Sequence, residues 1–215
     1  MIEILISITI FMLIHISTMA TFLVISGVKI KEVSYGAGPT LFKVGKFKFQ
    51  PIPVNGYVKA LDSREGELEE DEKLKALNHQ STLTQFFAPI SGCIFVLLLS
   101  YLVLGNAAID SFISAFKEIV LGALNPISFG QELIQGSHEF IKQSSLITVI
   151  ATIQIKLVAF NLLPLTVFNG GQAVVNLIKM GKPTASWEIK AAQISIFLAL
   201  GLFVSWAFSI TYYVF

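Results

Sequence analysis

The stretch that decides the fold is Asn161–Gly171, NLLPLTVFNGG, which ends a long apolar run. A proline lacks a backbone donor and two glycines allow close backbone approach, so we expect this stretch to open the end of a membrane helix. The opened backbone and nearby polar side chains can then line a cavity, because polar groups at membrane depth usually face a bundle interior. The residues expected to form this cavity are Lys156, Asn161, Pro164, Asn169, Gly170 and Gly171.

Composition places this stretch in a membrane protein. The chain has 215 residues, of which 54% are hydrophobic and 13% charged, and its mean hydropathy is +0.73. A soluble domain carries about 25% charged residues, so an ordinary soluble domain and a disordered chain are excluded. The net charge of +1 provides no field for polyanions, which excludes a nucleic-acid partner. We predict a single all-α polytopic membrane domain over residues 1–215.

Four apolar runs are long enough for membrane helices, which need about 20 residues each. They cover residues 4–28, 86–104, 146–168 and 194–215. Most lysines lie between the first two runs or between the last two, so the positive-inside rule places these two loops in the cytoplasm. We therefore expect a multi-pass protein in the lipid bilayer of a prokaryotic inner (plasma) membrane, with both termini outside.

The segments between the runs have patterns of their own. Residues 32–60 alternate polar and apolar side chains, which predicts a small cytoplasmic β-hairpin or β-loop with a turn at Asn55-Gly56; an irregular loop is the alternative. The acidic run within residues 62–80 predicts a mobile loop. Apolar residues at helical spacing predict amphipathic surface helices near 109–120 and 130–142, between the second and third runs.

Several motifs together resemble one protein family. The spacing N-x-x-P-x-x-x-x-N-G-G at 161–171 closely resembles the N-x-x-P-x-x-x-x-D-G signature of site-2 proteases, which are intramembrane zinc metalloproteases. HISTM at 15–19 lies where that family carries H-E-x-x-H, and PIPVNGYVKA at 51–60 resembles its P-x-x-G-Y-V-K substrate-binding strand. Order and spacing agree from about Ile4 to Phe215, and no insert is long enough for a PDZ domain.

The resemblance implies a metal site whose residues are largely replaced. In the family, two histidines and an aspartate bind zinc, and the glutamate between the histidines is the general base. Here His15 remains, whereas Ile16 replaces the glutamate, Met19 the second histidine and Asn169 the aspartate. Isoleucine has no proton-accepting atom, and a neutral amide is a poor zinc ligand. We therefore expect no catalytic residue, no bound metal and no cofactor, with zinc only if the site is complemented.

Two functions follow from this resemblance. The leading hypothesis is a catalytically inactive member that binds or regulates a transmembrane partner, such as a single-span or unfolding membrane protein. The alternative is a divergent zinc metallopeptidase that cleaves membrane-embedded substrates with ligands supplied from elsewhere. In both cases Asn55, Gly56 and Tyr57 form the expected substrate edge. Lys156 is expected to form an internal pair, with Gln154 or Asn169 as candidates, rather than to extend toward the lipid headgroups.

Overall fold

The computed structural model describes residues 2–179 and 186–215. Within this part of the chain, α-helices alternate with short connections, except where a small sheet follows the first helix. The helices are α1 (Ile2–Ile25), α2 (Glu70–Lys73), α3 (Thr82–Leu104), α4 (Ala107–Leu124), α5 (Phe129–Gln143), α6 (Leu146–Asn161), α7 (Asn169–Lys179) and α8 (Ser186–Val214). The strands are β1 (Ile30–Ala37), β2 (Phe42–Val44), β3 (Phe47–Phe49) and β4 (Ile52–Ala60).

The helices confirm a polytopic, mostly α-helical membrane protein. Among the described residues, α1, α3 and α8 are long and apolar enough to cross a bilayer, with mean hydropathies of 2.2, 2.3 and 2.0. They coincide with the first, second and fourth apolar runs. Helix α6 is apolar but has 16 residues, so it is shorter than the third run from which it was predicted.

Helix α6 ends earlier than expected, at Asn161 rather than near 168. The backbone N–H of Leu162 still bonds to the Val158 oxygen at 2.9 Å, and the chain then passes through a series of turns up to α7. Pro164 has no N–H and cannot continue the helical hydrogen bonding. Residues 162–168 are therefore apolar without being helical, and of their side chains only that of Leu163 is buried.

The described residues form two compact units. Residues 8–96 and 172–179 make up the sheet unit, and residues 2–7, 97–171 and 186–215 make up the helical unit. Helices α1, α3 and α7 contribute residues to both units.

The sheet unit contains a four-stranded sheet with strand order β2-β3-β1-β4. Strand β1 pairs in parallel with β3 and antiparallel with β4, and β2 and β3 form a hairpin whose turn contains Gly45 at φ 58°. The predicted β-hairpin is thus part of a larger sheet. Buried side chains of α1, β1 and α3 form its apolar core: Met12, Ile16, Leu23, Val28, Ile30, Val33, Tyr35 and Ala88.

One local expectation in this unit differs from the structure. Asn55 and Gly56 lie inside β4 and not in a turn, and Gly56 is where the strand passes close to the backbone of β1 and the side chain of Ile16. The segment 62–80, predicted to be a mobile loop, contains α2 and two 3-10 turns, Ser63–Glu65 and Leu77–His79.

The helical unit is built around the packing of α4 on α6 and α8. The indole N–H of Trp206 donates to the Ile119 oxygen at 3.0 Å, and its ring lies where a side chain at Gly122 would have to go. Gln131 of α5 donates to the backbone oxygen of Ser209 at 2.8 Å. Helices therefore form at both predicted amphipathic stretches, and they pack on the apolar helices of this unit.

Candidate functional site

His15 lies in the middle of α1 and is 4% exposed. Its ring stacks on Phe11 with 5.1 Å between the centroids, and its Nδ1 lies 3.8 Å from the Sγ of Cys93 on α3. A Cβ at Gly92 would overlap both the Nδ1 and the backbone oxygen of His15. The glycine therefore permits the close approach of α3 that encloses the imidazole.

Ile16, which the resemblance to H-E-x-x-H aligns with the family's general base, belongs to the apolar core of the sheet unit. Its side chain is 3% exposed and packs among the buried residues of α1, β1 and α3. A Cβ at Gly56 would lie 3.0 Å from the Ile16 Cγ1 and 2.6 Å from the Ser34 oxygen. This position is therefore an apolar contact between α1 and β4, in surroundings unsuited to an ionised carboxylate.

Met19 follows His15 by one helical turn on α1, and it is half-buried. Residues at i and i+4 share a helix face, so the two positions retain the relation of the family's histidine pair. The thioether of methionine suits soft copper(I) more than zinc. His15 and Met19 thus share one face of α1, and Met19 is a poor zinc ligand.

In the helical unit, hydrogen bonds and ring contacts fix the backbone path of the motif segment, residues 161–171. Asn161, the last residue of α6, donates from Nδ2 to the Leu157 oxygen at 2.9 Å. Beyond it, the Thr166 N–H donates to the Ser195 hydroxyl of α8 at 3.0 Å. Phe160 and Phe168 bracket the turns, with their ring centroids 4.7 Å apart.

The two glycines of the motif allow this path. Helix α7 begins at Asn169, so Gly170 and Gly171 lie in its first turn and are both buried. A Cβ at Gly170 would overlap the backbone of Leu162, and one at Gly171 would overlap the backbone of Leu165. Since backbone atoms cannot move aside as a flexible side chain can, both positions require glycine.

Lys156 forms an ion pair that the sequence did not predict. Its Nζ lies 2.6 Å from the Oε2 of Glu118 on α4, and the two side chains are about one-third exposed. Gln154 instead donates to the backbone oxygen of Ser7 at 2.9 Å. Lys156 is therefore paired, as expected, but with a residue of the amphipathic helix α4. The sequence predicted an amphipathic helix at α4, but nothing in it indicated that Glu118 would pair with Lys156.

The expected substrate edge lies on β4, one of the two edge strands of the described sheet. The side-chain oxygen of Asn55 accepts from the Gly56 N–H at 2.8 Å, and the Tyr57 hydroxyl donates to the Glu32 carboxylate on β1. This hydrogen bond, followed by the Lys43 ammonium, holds the pKa of Glu32 below its usual range, and it raises the pKa of Tyr57. Glu32 and Lys43 were not anticipated as neighbours of this edge.

The predicted site residues thus fall into two sets. His15, Ile16, Met19 and the β4 residues belong to the sheet unit, whereas Lys156, Asn161, Pro164 and the motif residues up to Gly171 belong to the helical unit. In the sheet unit, His15 and Met19 share a face of α1, and the substrate-edge residues lie together on β4. In the helical unit, Lys156 and Asn161 lie on α6, and the other motif residues follow in the turns and the first turn of α7.

The residues present do not fit a catalytic zinc ion. Such an ion needs three protein ligands of suitable charge and an open water position. The family positions supply one imidazole, one thioether and one neutral amide in His15, Met19 and Asn169. Across residues 2–179 and 186–215, no three His, Cys, Asp or Glu side chains are grouped to hold a metal ion.

Comparison with known proteins identifies the family. A search of curated proteins finds no match. The model of Peptidase family M50 matches residues 3–204, which is nearly the whole chain. The chain therefore belongs to Peptidase family M50, the site-2 protease family.

Proposed function

We propose that this chain is a catalytically inactive site-2-protease-like membrane protein that binds or regulates a transmembrane partner. The observation that carries the proposal is Ile16, a 3% exposed apolar core residue where the family places its general base. With no proton acceptor at this position, no water can be activated there. Because Ile16 also packs at Gly56, the base has been replaced by a structural contact.

The ligand positions support the same conclusion. The amide of Asn169 lacks the negative charge of a carboxylate, and the thioether of Met19 suits softer ions than zinc. His15 is enclosed by Phe11, Gly92 and Cys93, surroundings that suit a packed core histidine. A hydrolytic mechanism of the family's kind has neither its base nor its ligand set in these residues.

Partner binding is proposed to take place at β4. Strand β4 has one hydrogen-bonded neighbour in the sheet, β1, so its other edge can pair with an extended segment. Asn55, Gly56 and Tyr57 lie midway along the strand. Main-chain pairing at such an edge needs no catalytic group, so recognition can persist after the chemistry is lost.

The proposal includes a membrane orientation. The lysine-containing segments 29–75 and 179–190 face the cytoplasm, and both termini face outward in a prokaryotic plasma membrane. Reporter fusions at Phe215 and near Glu69 measure this directly. A cytoplasmic signal at Phe215 would contradict the orientation.

The second candidate is a divergent zinc metallopeptidase, and membership in the family together with the retained His15 favours it. It requires ligands and a base from another chain. A cleavage assay separates the two candidates: the purified protein is reconstituted in vesicles with a labelled membrane-spanning peptide, with and without zinc. We expect no cleavage product, and zinc-dependent cleavage abolished by His15→Ala would favour the peptidase.

Photocrosslinking tests partner binding. A crosslinking amino acid at Asn55 or Tyr57 is expected to trap a membrane protein in cells, whereas one at the exposed Lys117 is the matched control. Adducts from β4 and none from Lys117 would support binding at this edge. Equal trapping at all three positions, or none at β4 beside an established partner, would contradict it.

A further inference from the structure

The sheet and the segment after it carry opposite charges. Residues 29–60 contain six lysines and one glutamate, and residues 65–72, EGELEEDE, contain six acidic residues and no basic one. We call residues 65–72 the acidic segment. Two of its carboxylates, those of Glu65 and Glu72, are paired with lysines of residues 29–60.

Two lysines converge on one carboxylate of the acidic segment. The Nζ atoms of Lys31 and Lys59 lie 3.2 and 3.1 Å from the same oxygen of Glu65, Oε2. Lys31 belongs to β1 and Lys59 to β4. These lysines, Lys59 first, hold the pKa of Glu65 below its usual range. The two strands thus present a carboxylate-binding lysine pair.

The acidic segment is anchored at its ends and weakly held in the middle. On its flanks, Leu77 N–H bonds to the Leu61 oxygen at 2.8 Å and Lys29 N–H to the Lys75 oxygen at 2.9 Å. In between, Glu65 is paired with lysines of β1 and β4, and Glu72 is paired at 2.6 Å with Lys29, which directly precedes β1; all of these ion pairs are exposed. Water and salt weaken exposed pairs strongly. The acidic segment can therefore move away from the lysines while the backbone hydrogen bonds on its flanks stay formed.

We propose that the Lys31–Lys59 pair is a docking site for an acidic stretch of a partner protein, and that Glu65 of this chain occupies it until that partner displaces it. This inference builds on the proposed partner binding at β4, because Lys59 lies two residues after Tyr57 on that strand. It specifies the partner's chemistry: an extended segment that pairs with β4 and carries carboxylates at the level of Lys59.

The test uses a synthetic peptide and needs no natural partner. The probe is a labelled, end-blocked peptide with the sequence of residues 65–72, and its fluorescence anisotropy is measured with the full chain in detergent at low salt. Glu65→Gln removes the internal competitor, so we expect it to raise the peptide affinity about five-fold over wild type. A peptide in which glutamine and asparagine replace the acidic residues should not bind.

Lysine variants locate the binding site. In the Glu65→Gln background, Lys31→Gln with Lys59→Gln should abolish the gain in affinity. Lys117→Gln with Lys142→Gln removes the same charge from exposed positions of the helical unit and should preserve the gain. Thermal unfolding verifies that each variant is folded.

The inference is overturned if Glu65→Gln leaves the affinity unchanged, or if both lysine pairs lower it equally. The first result would make the Glu65 contact purely structural, and the second would indicate nonspecific attraction. Neither result would bear on crosslinking at Asn55 or Tyr57, so the proposed function is tested separately.

Discussion

The face of α1 and the motif segment 161–171 match the site-2 protease motifs that they resemble to different degrees. On α1, His15 is the one residue that matches H-E-x-x-H, and Ile16 belongs to the apolar core. In the motif segment, Asn161, Pro164 and Gly170 match the signature, and Gly170 and Gly171 make close backbone contacts. The match is therefore better where close backbone packing depends on the residue type than where the proposed loss of chemistry affects a side chain.

Among the variants that test this comparison, we expect Ile16→Glu to cause the largest loss of stability. The substitution places a carboxyl group in the apolar core beside Gly56, and we expect it to lower the free energy of unfolding by about 3–5 kcal/mol. Ile16→Met conserves volume and should lower it by less than about 1.5 kcal/mol. Thermal unfolding in detergent measures both. If Ile16→Glu were as stable as wild type, this face of α1 would still have a polar pocket.

The second test concerns the motif glycines. Gly171→Ala forces a Cβ onto the backbone of Leu165, so we expect a loss of about 3 kcal/mol. Gly201→Ala is the matched control, because no atom lies within 4 Å of a Cβ at this position of α8, and it should be neutral or stabilising. Equal stabilities of the two variants in thermal unfolding would show that the motif no longer requires glycine.

A smaller effect is expected from the ion pair of the helical unit. Lys156→Gln and Glu118→Gln should each destabilise the protein, and the double variant should be more stable than the sum of the two losses implies. A coupling energy of about 1 kcal/mol fits a pair whose side chains are one-third exposed. Additive losses in a double-mutant cycle would mean that the contact contributes no stability.

The smallest effect is the pH dependence at the β4 edge. Tyr57 first, and then Lys43, lowers the pKa of Glu32, so this carboxylate stabilises the fold at neutral pH and its contribution is lost as the pH falls through the lowered pKa. The melting-temperature difference between wild type and Glu32→Gln should therefore shrink below about pH 4.5. Glu67→Gln is the charge-matched control. A difference that grew with acidity would contradict the assigned contacts.

The structure also shows which parts of the fold could be predicted from the sequence. Apolar runs predicted α1, α3 and α8, because length and hydropathy alone decide a membrane helix. The same criterion extended the third run past Asn161, since the residues that form the following turns are as apolar as those of a membrane helix. Asn55-Gly56 suggested a turn because this dipeptide favours one. In the structure both residues lie in β4, and the absence of a side chain at Gly56 allows close contact with Ile16 and the Ser34 oxygen.

Side-chain pairs between residues far apart in the sequence could not be predicted, for a different reason. Lys156 was expected to have a partner because of its depth, but its pairing with Glu118 depends on the packing of α4 against α6. The contact between His15 and Cys93 likewise depends on the approach of α3 at Gly92. Sequence spacing determines helix faces, and it does not determine which faces meet.

The central claim, that the family's metal chemistry has been lost, is tested most directly by zinc content. The measurement is elemental analysis of the protein purified in detergent without chelators and exposed to equimolar zinc, beside His15→Ala. The account predicts well below one zinc per chain and no difference between the two proteins. One zinc per chain in the wild type, lost in His15→Ala, would contradict it.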